Sequence, residues 1–92
     1  MIQPSVRIVR CQDVIFADMG GEVALLHTKN GVYYTLNAVA ATVWSELRKA
    51  TSVRDLQARV MAEYQVEIGQ CERDLAELLA QLLEEHLIEI TS

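Results

Sequence analysis

The sequence predicts an α+β fold, a three-stranded antiparallel meander followed by three α-helices, and three observations lead there. Residues 13–37, DVIFADMGGEVALLHTKNGVYYTLN, contain three short apolar runs separated by two glycine-bearing turns. At Asn37 the apolar spacing changes from that of a strand to that of a helix. Amphipathic segments with helix-start signals then fill most of the remaining chain.

With 92 residues, 51% of them hydrophobic, the chain can bury one small core, and two domains would each lack the surface to offset their chain entropy. One proline and four glycines leave no low-complexity linker. The expected organisation is a flexible or extended N-terminal arm over residues 1–12 and a single domain over residues 13–90. No apolar run approaches the roughly 20 residues that cross a bilayer. The opening MIQPSVRIVRCQD lacks the uninterrupted apolar block of a secretion signal, so a cytoplasmic protein without a membrane partner is expected. Cys11 and Cys71 would stay reduced in that compartment.

In order along the chain, Val6 and Ile8 alternate weakly, so the lead-in reads as extended or frayed. The β-branched and aromatic run 14–17 is the first strand of the meander, Gly20-Gly21 its turn, and residues 22–28 the second strand. Asn30-Gly31 predicts a tight primed turn, since both residues tolerate the positive φ it requires, and residues 32–36 become the third strand. Asn37 is placed to cap a first helix whose Ala40, Val43, Trp44 and Leu47 share one face. Ser52 and Asp55 stand at the capping spacing before a second helix carrying Val53, Leu56, Val60, Met61 and Tyr64. A third and longest helix is expected over residues 70–86. Its stripe of Cys71, Leu75, Leu78 and Leu82 is widened by Ala76, Leu79 and Leu83 to about 160°, more than packing on one side requires. The surplus could line a groove. Residues 87–90 return along the helices or add a strand.

Chemistry-bearing constellations are missing. Cys11, His27, Cys71 and His86 form no ligand pair at metal-binding spacing, so no metal is expected. Gly20-Gly21 precedes a strand, without the helix or the lysine of a phosphate cradle. Cys71 on the apolar face of an acidic helix is a poor nucleophile. Glu84 and Glu85 are adjacent and diverge. No catalytic residue, no enzyme activity and no cofactor are expected. Trp44 reads as core packing. Of Tyr33 and Tyr34, alternation sends one side chain toward the helices and the other toward solvent or a partner. A last strand with an unpaired edge is itself a binding feature.

Strand, turn, strand, turn, strand, then Y-Y-T-L-N into a helix with a tryptophan, then T-S-V-R-D-L, then a tyrosine-ended helix and an acidic leucine-rich helix closing on L-I: over residues 13–90 this order resembles the PqqD-like family of small winged helix-turn-helix domains. The resemblance implies non-catalytic recognition of ribosomally made, modified peptides. The precursor's leader would add an antiparallel strand beside Val32, Tyr33, Tyr34, Thr35 and Leu36, in a groove walled by Leu75, Ala76, Leu79 and Leu83. It implies delivery to a leader peptidase, cyclase or radical maturase. The third strand and the residues after the last helix depart from the quinone-cofactor protein itself, and the Y-Y-x-L-N form is similar to stand-alone recognition proteins of lasso-peptide clusters.

Two rival readings share these elements. A winged-helix DNA-binding regulator would need a basic recognition helix, whereas residues 66–92 hold one Lys or Arg against seven Asp or Glu, so no nucleic-acid partner is expected. An edge-strand module for dimerisation or enzyme docking would use the same surface, and a monomer or weak homodimer is expected.

Overall fold

The computed structural model describes residues 3–91. Its elements in chain order are β1 (Arg7–Arg10), β2 (Val14–Asp18), β3 (Val23–His27), β4 (Tyr33–Leu36), α1 (Ala38–Glu46), β5 (Thr51–Ser52), α2 (Val53–Glu63), α3 (Ile68–Glu84) and β6 (Ile88–Ile90). The meander β2-β3-β4 and the three helices are as the sequence predicts. A second small sheet, β5-β1-β6, was not foreseen as a unit.

That second sheet draws on the expected arm. β1 pairs antiparallel with β5 on one side and β6 on the other, and Ile8, opposite both Thr51 and Ile90, is fully buried. Residues 7–10 are therefore ordered by partners some 40 to 80 positions away. The domain begins earlier than residue 13, because Ile8 joins the same core as Leu36 and Leu79. The first two residues of the arm lie outside the described residues. Residues 88–90 take the added-strand alternative.

The meander's turns differ in kind. Gly20 (φ 75°) and Gly21 (φ 101°) form a two-residue turn, with the Met19 N–H donating to the Glu22 carbonyl at 2.7 Å. Left-handed φ at both central residues is what a primed turn requires, and only glycine adopts it freely. The Asn30-Gly31 expectation is corrected. Residues 28–31 make a four-residue loop in which Gly31 alone has positive φ (74°), and the Gly31 N–H donates to the His27 carbonyl. Asn30 instead holds the loop through its side chain, accepting from the Val32 N–H at 3.0 Å, while His27 Nδ1 faces the N–H groups of Lys29 and Asn30.

The helices start where the caps are. Asn37 accepts from the Ala40 N–H at 2.9 Å, and Ser52 from the Asp55 N–H at 3.1 Å. α3 runs two residues earlier than expected at both ends, from Glu67 as N-cap to Glu85 as C-cap. Its exit is a Schellman arrangement: Leu87 N–H donates to the Leu82 carbonyl and His86 N–H to the Leu83 carbonyl. His86 occupies the left-handed position (φ 59°), where glycine is usual. Ile8, Leu36, Val43, Trp44, Leu47, Leu56, Leu79, Leu82 and Leu87 are each at most 1% exposed and join both sheets to all three helices.

His86→Gly removes the steric cost of that left-handed residue, partly offset by greater backbone freedom in the unfolded chain. It should stabilise the fold by about 0.5–1 kcal/mol, read as a higher denaturant midpoint with an unchanged slope.

Candidate functional site: the β4 edge and the α3 groove

β4 is an edge strand, and its hydrogen-bond register can be read residue by residue. The His27 N–H donates to the Val32 carbonyl at 2.9 Å, and the ladder continues with Leu25 opposite Tyr34 and Val23 opposite Leu36. In an antiparallel pair the bonded residues alternate. Val32, Tyr34 and Leu36 therefore direct their main-chain groups into the sheet. Tyr33 and Thr35 direct theirs outward, toward an edge with no strand beside it among the described residues.

Side chains alternate as well. Leu36 is buried, Val32 and Tyr34 are half-buried, and Tyr33 is 65% exposed on the opposite face with Thr35. The Tyr34 hydroxyl donates to Gln81 Oε1 on α3, linking the strand to the helix beneath it. Beyond the end of β4, a pocket of about 330 Å³ opens between α1, the end of α2 and α3. Val39, Val43, Val60, Val66, Leu75 and Leu78 give it an apolar lining, with Asn37, Asp74, Glu77 and Gln81 as polar groups. Gln81 belongs to both features, so edge and pocket form one continuous surface.

The expected α3 wall is distributed unevenly around this surface. Leu75 lines the pocket, and Leu79 is fully buried. Ala76 is exposed and Leu83 half-buried, but at about 100° per residue they lie on the flank opposite Asp74, Leu78 and Gln81. The flank of α3 that meets Tyr34 and the pocket is thus 74-78-81. A stripe wider than packing needs has two margins, and helical spacing cannot tell which one faces the sheet. Val39 and Val66, 37% and 38% exposed, carried no sequence signal beyond being apolar residues that the core does not absorb.

Among the described residues no group of three or more His, Cys, Asp or Glu is placed to hold a metal, and no helix is long and apolar enough to cross a membrane. Burial, with Asp74 and Glu72 nearby, pushes the Cys71 thiol up. The outer face of α3 presents Glu72, Asp74, Glu77 and Glu84, with Arg73 as its cation, a field that repels phosphate backbones.

Two outcomes test this placement. Leu79→Ala should cost about 2–5 kcal/mol in chemical denaturation, and Ala76→Ser on the exposed flank less than about 0.5 kcal/mol. For Cys71 the folded-state pKa is raised, so above the ordinary thiol pKa the unfolded chain releases its proton while the folded chain retains it. Stability then falls as pH rises through that ordinary value and beyond. Cys71→Ala should flatten the loss between pH 8 and 10, to be seen as a smaller shift of the denaturant midpoint.

Comparison with known proteins gives this geometry its relatives. No curated protein matches the chain significantly. One solved structure, "TbiB1 in Complex with the TbiA(beta) Leader Peptide", shares 32% identity with a TM-score of 0.82 over 91% of this chain and 98% of that one. Another, "Lasso peptide synthetase B1 complexed with the leader peptide", shares 28% identity with a TM-score of 0.76 over 89% of this chain and 96% of that one. The sequence profile described as coenzyme PQQ synthesis protein D (PqqD) matches residues 22–88. The chain belongs to the PqqD family.

Proposed function

We propose that the protein is a non-catalytic recognition element that binds the leader segment of a ribosomally synthesised precursor peptide, of the lasso type, in the cytoplasm where such peptides are made. The single observation that carries the reading is the outward-facing main chain of Tyr33 and Thr35 beside the α3 pocket. Two structural relatives bearing leader peptides support it. An extended peptide that pairs with this edge takes its affinity from main-chain bonds and its selectivity from the side chains it places on alternate faces.

Direction follows from antiparallel pairing. β4 runs from Tyr33 to Leu36, so the leader runs from the Leu36 end toward the 28–31 loop. Its residues N-terminal to the paired stretch reach the pocket beyond Asn37. An apolar side chain there would meet Val39, Val66 and Leu78. The C-terminal end of the leader, and the core peptide after it, would leave past Val32 and Lys29, where a leader peptidase, cyclase or radical maturase can take the substrate. The site comprises Val32, Tyr33, Tyr34, Thr35 and Leu36 on the strand and Leu75 on the helix. Leu78, Asp74 and Gln81 supply the wall otherwise expected of Ala76, Leu79 and Leu83.

Thr35→Pro removes an outward N–H. It should weaken binding of a lasso-type precursor leader that the wild-type protein binds at least tenfold by calorimetry, with an unchanged circular-dichroism melt. Tyr34→Pro removes an N–H bonded into the sheet and should lower the melting temperature markedly. Equal leader affinity for wild type and Thr35→Pro, or amide shifts on leader titration that bypass residues 32–36, would overturn the assignment.

A further inference from the structure

A second pocket lies on the other side of α1, with Arg10 in its lining. The Arg10 N–H donates to the Leu47 carbonyl at 2.9 Å and its Nε to the Trp44 carbonyl at 2.9 Å, so the side chain is moored at the C-terminal end of α1. The guanidinium carbon stands 4.7 Å from the ring centroids of both Phe16 and Trp44, which meet edge-on at 74°. Nη1 and Nη2 have no hydrogen-bond partner and no carboxylate within 4.0 Å among the described residues. Among the described residues only Lys29 and Arg59 form ion pairs, so the lack of a carboxylate is common here; what sets Arg10 apart is that its Nε is moored and its guanidinium lies against two aromatic rings.

The space beside Arg10 measures about 290 Å³ and runs along α1 past Ser45 and Thr42 to Tyr64. The hydroxyls there are already committed: Ser45 donates to the Thr42 carbonyl, Tyr64 to the Ala38 carbonyl, and Thr42 contacts Tyr64 and Glu63. Arg10 is the cation of this lining and still has donors to give. Arg48 is near enough for its charge, after burial, to help lower the Arg10 pKa, and it too has no carboxylate within 4.0 Å among the described residues. Two unpaired guanidiniums repel each other unless something negative joins them.

We propose that this pocket is a carboxylate-binding site, in which Nη1 and Nη2 of Arg10, held between Phe16 and Trp44, grip an Asp or Glu side chain of a peptide or protein partner. The fork of a guanidinium matches the two oxygens of a carboxylate, and the two rings hold that fork in place. Asp18 lines the same pocket, which favours a singly charged carboxylate over a phosphate dianion. The residues of α1 that line this pocket, such as Ala38, Ala41 and Ser45, lie on the helix face opposite Val39, Ala40 and Val43 of the β4 surface. Both sites can be filled at once.

The full chain, labelled with ¹⁵N, is titrated with N-acetyl-glutamate methylamide and separately with its neutral glutamine counterpart. The glutamate probe alone should give saturable shifts at the Arg10 Nε–H and the Trp44 indole N–H, with a dissociation constant on the order of 1–10 mM. Arg48→Gln, which leaves the moorings of Arg10 in place, should weaken the response by about threefold, and raised salt should do the same. Arg10→Lys keeps the charge without the fork and should abolish it, with a folded spectrum as the control. Non-saturating shifts, an equal response to the glutamine probe, indifference to Arg48→Gln, or tighter binding of inorganic phosphate would each overturn the carboxylate site.

Discussion

The burial of one face of the β2-β3-β4 sheet is the constraint on which the rest depends. Val23, Leu25 and His27 on β3 and Leu36 on β4 point inward, and Leu25 and Leu36 meet a core that includes Trp44, Leu79 and Leu82. A slip of one residue in β4 would send Leu36 to solvent and bring Thr35 inside. That penalty fixes the register. The register in turn decides that the amides of Tyr33 and Thr35, not those of Tyr34 and Leu36, face the open edge. Which main-chain groups stand at the open edge is thus decided by burial on the opposite side of the chain.

Leaving that edge unpaired is hazardous unless access to it is restricted. β4 is only four residues long, and the Tyr34–Gln81 bond holds α3 close below it. A second copy approaching with a flat sheet would meet the helix, whereas a single extended chain could enter between strand and helix. The acidic flank of α3 adds a charge filter, since Asp74 and Glu77 stand at the pocket that the chain would reach. Arg10 lies at the other end of α1, so an acidic groove and a pocket holding one arginine and one aspartate are separated by one helix.

Local signals in the sequence were legible, and distant ones were not. Asn37 and Ser52 cap within three residues of themselves, so their roles could be read directly, as could the core face of Ala40, Val43, Trp44 and Leu47. Tyr33 and Tyr34 divided as alternation requires. β1 was read as an arm because Val6 and Ile8 alone carry its pattern, and what orders it is pairing with Ser52 and Ile90. The Asn-Gly turn misled because a side-chain bond from Asn30 to the Val32 N–H competes with the left-handed backbone that a two-residue turn would need. On α3 the sequence showed a stripe wide enough for a groove but not its orientation, which Tyr34 settles through Gln81.

Arg10 shows why a residue's structural role and its availability to a partner need not compete. Its backbone N–H and its Nε are used to tie β1 to the last turn of α1, and the two rings fix the plane of the guanidinium. The side-chain contacts remove rotamer freedom before any partner arrives, so much of the entropy of ordering a long side chain is already lost on folding. What remains uncommitted is the end of the fork. The same logic holds at β4, where the sheet orders Tyr33 and Thr35 and leaves their outward main-chain groups unused. In both places folding pre-organises half of a hydrogen-bonding group and presents the other half, which is how so small a core can support recognition.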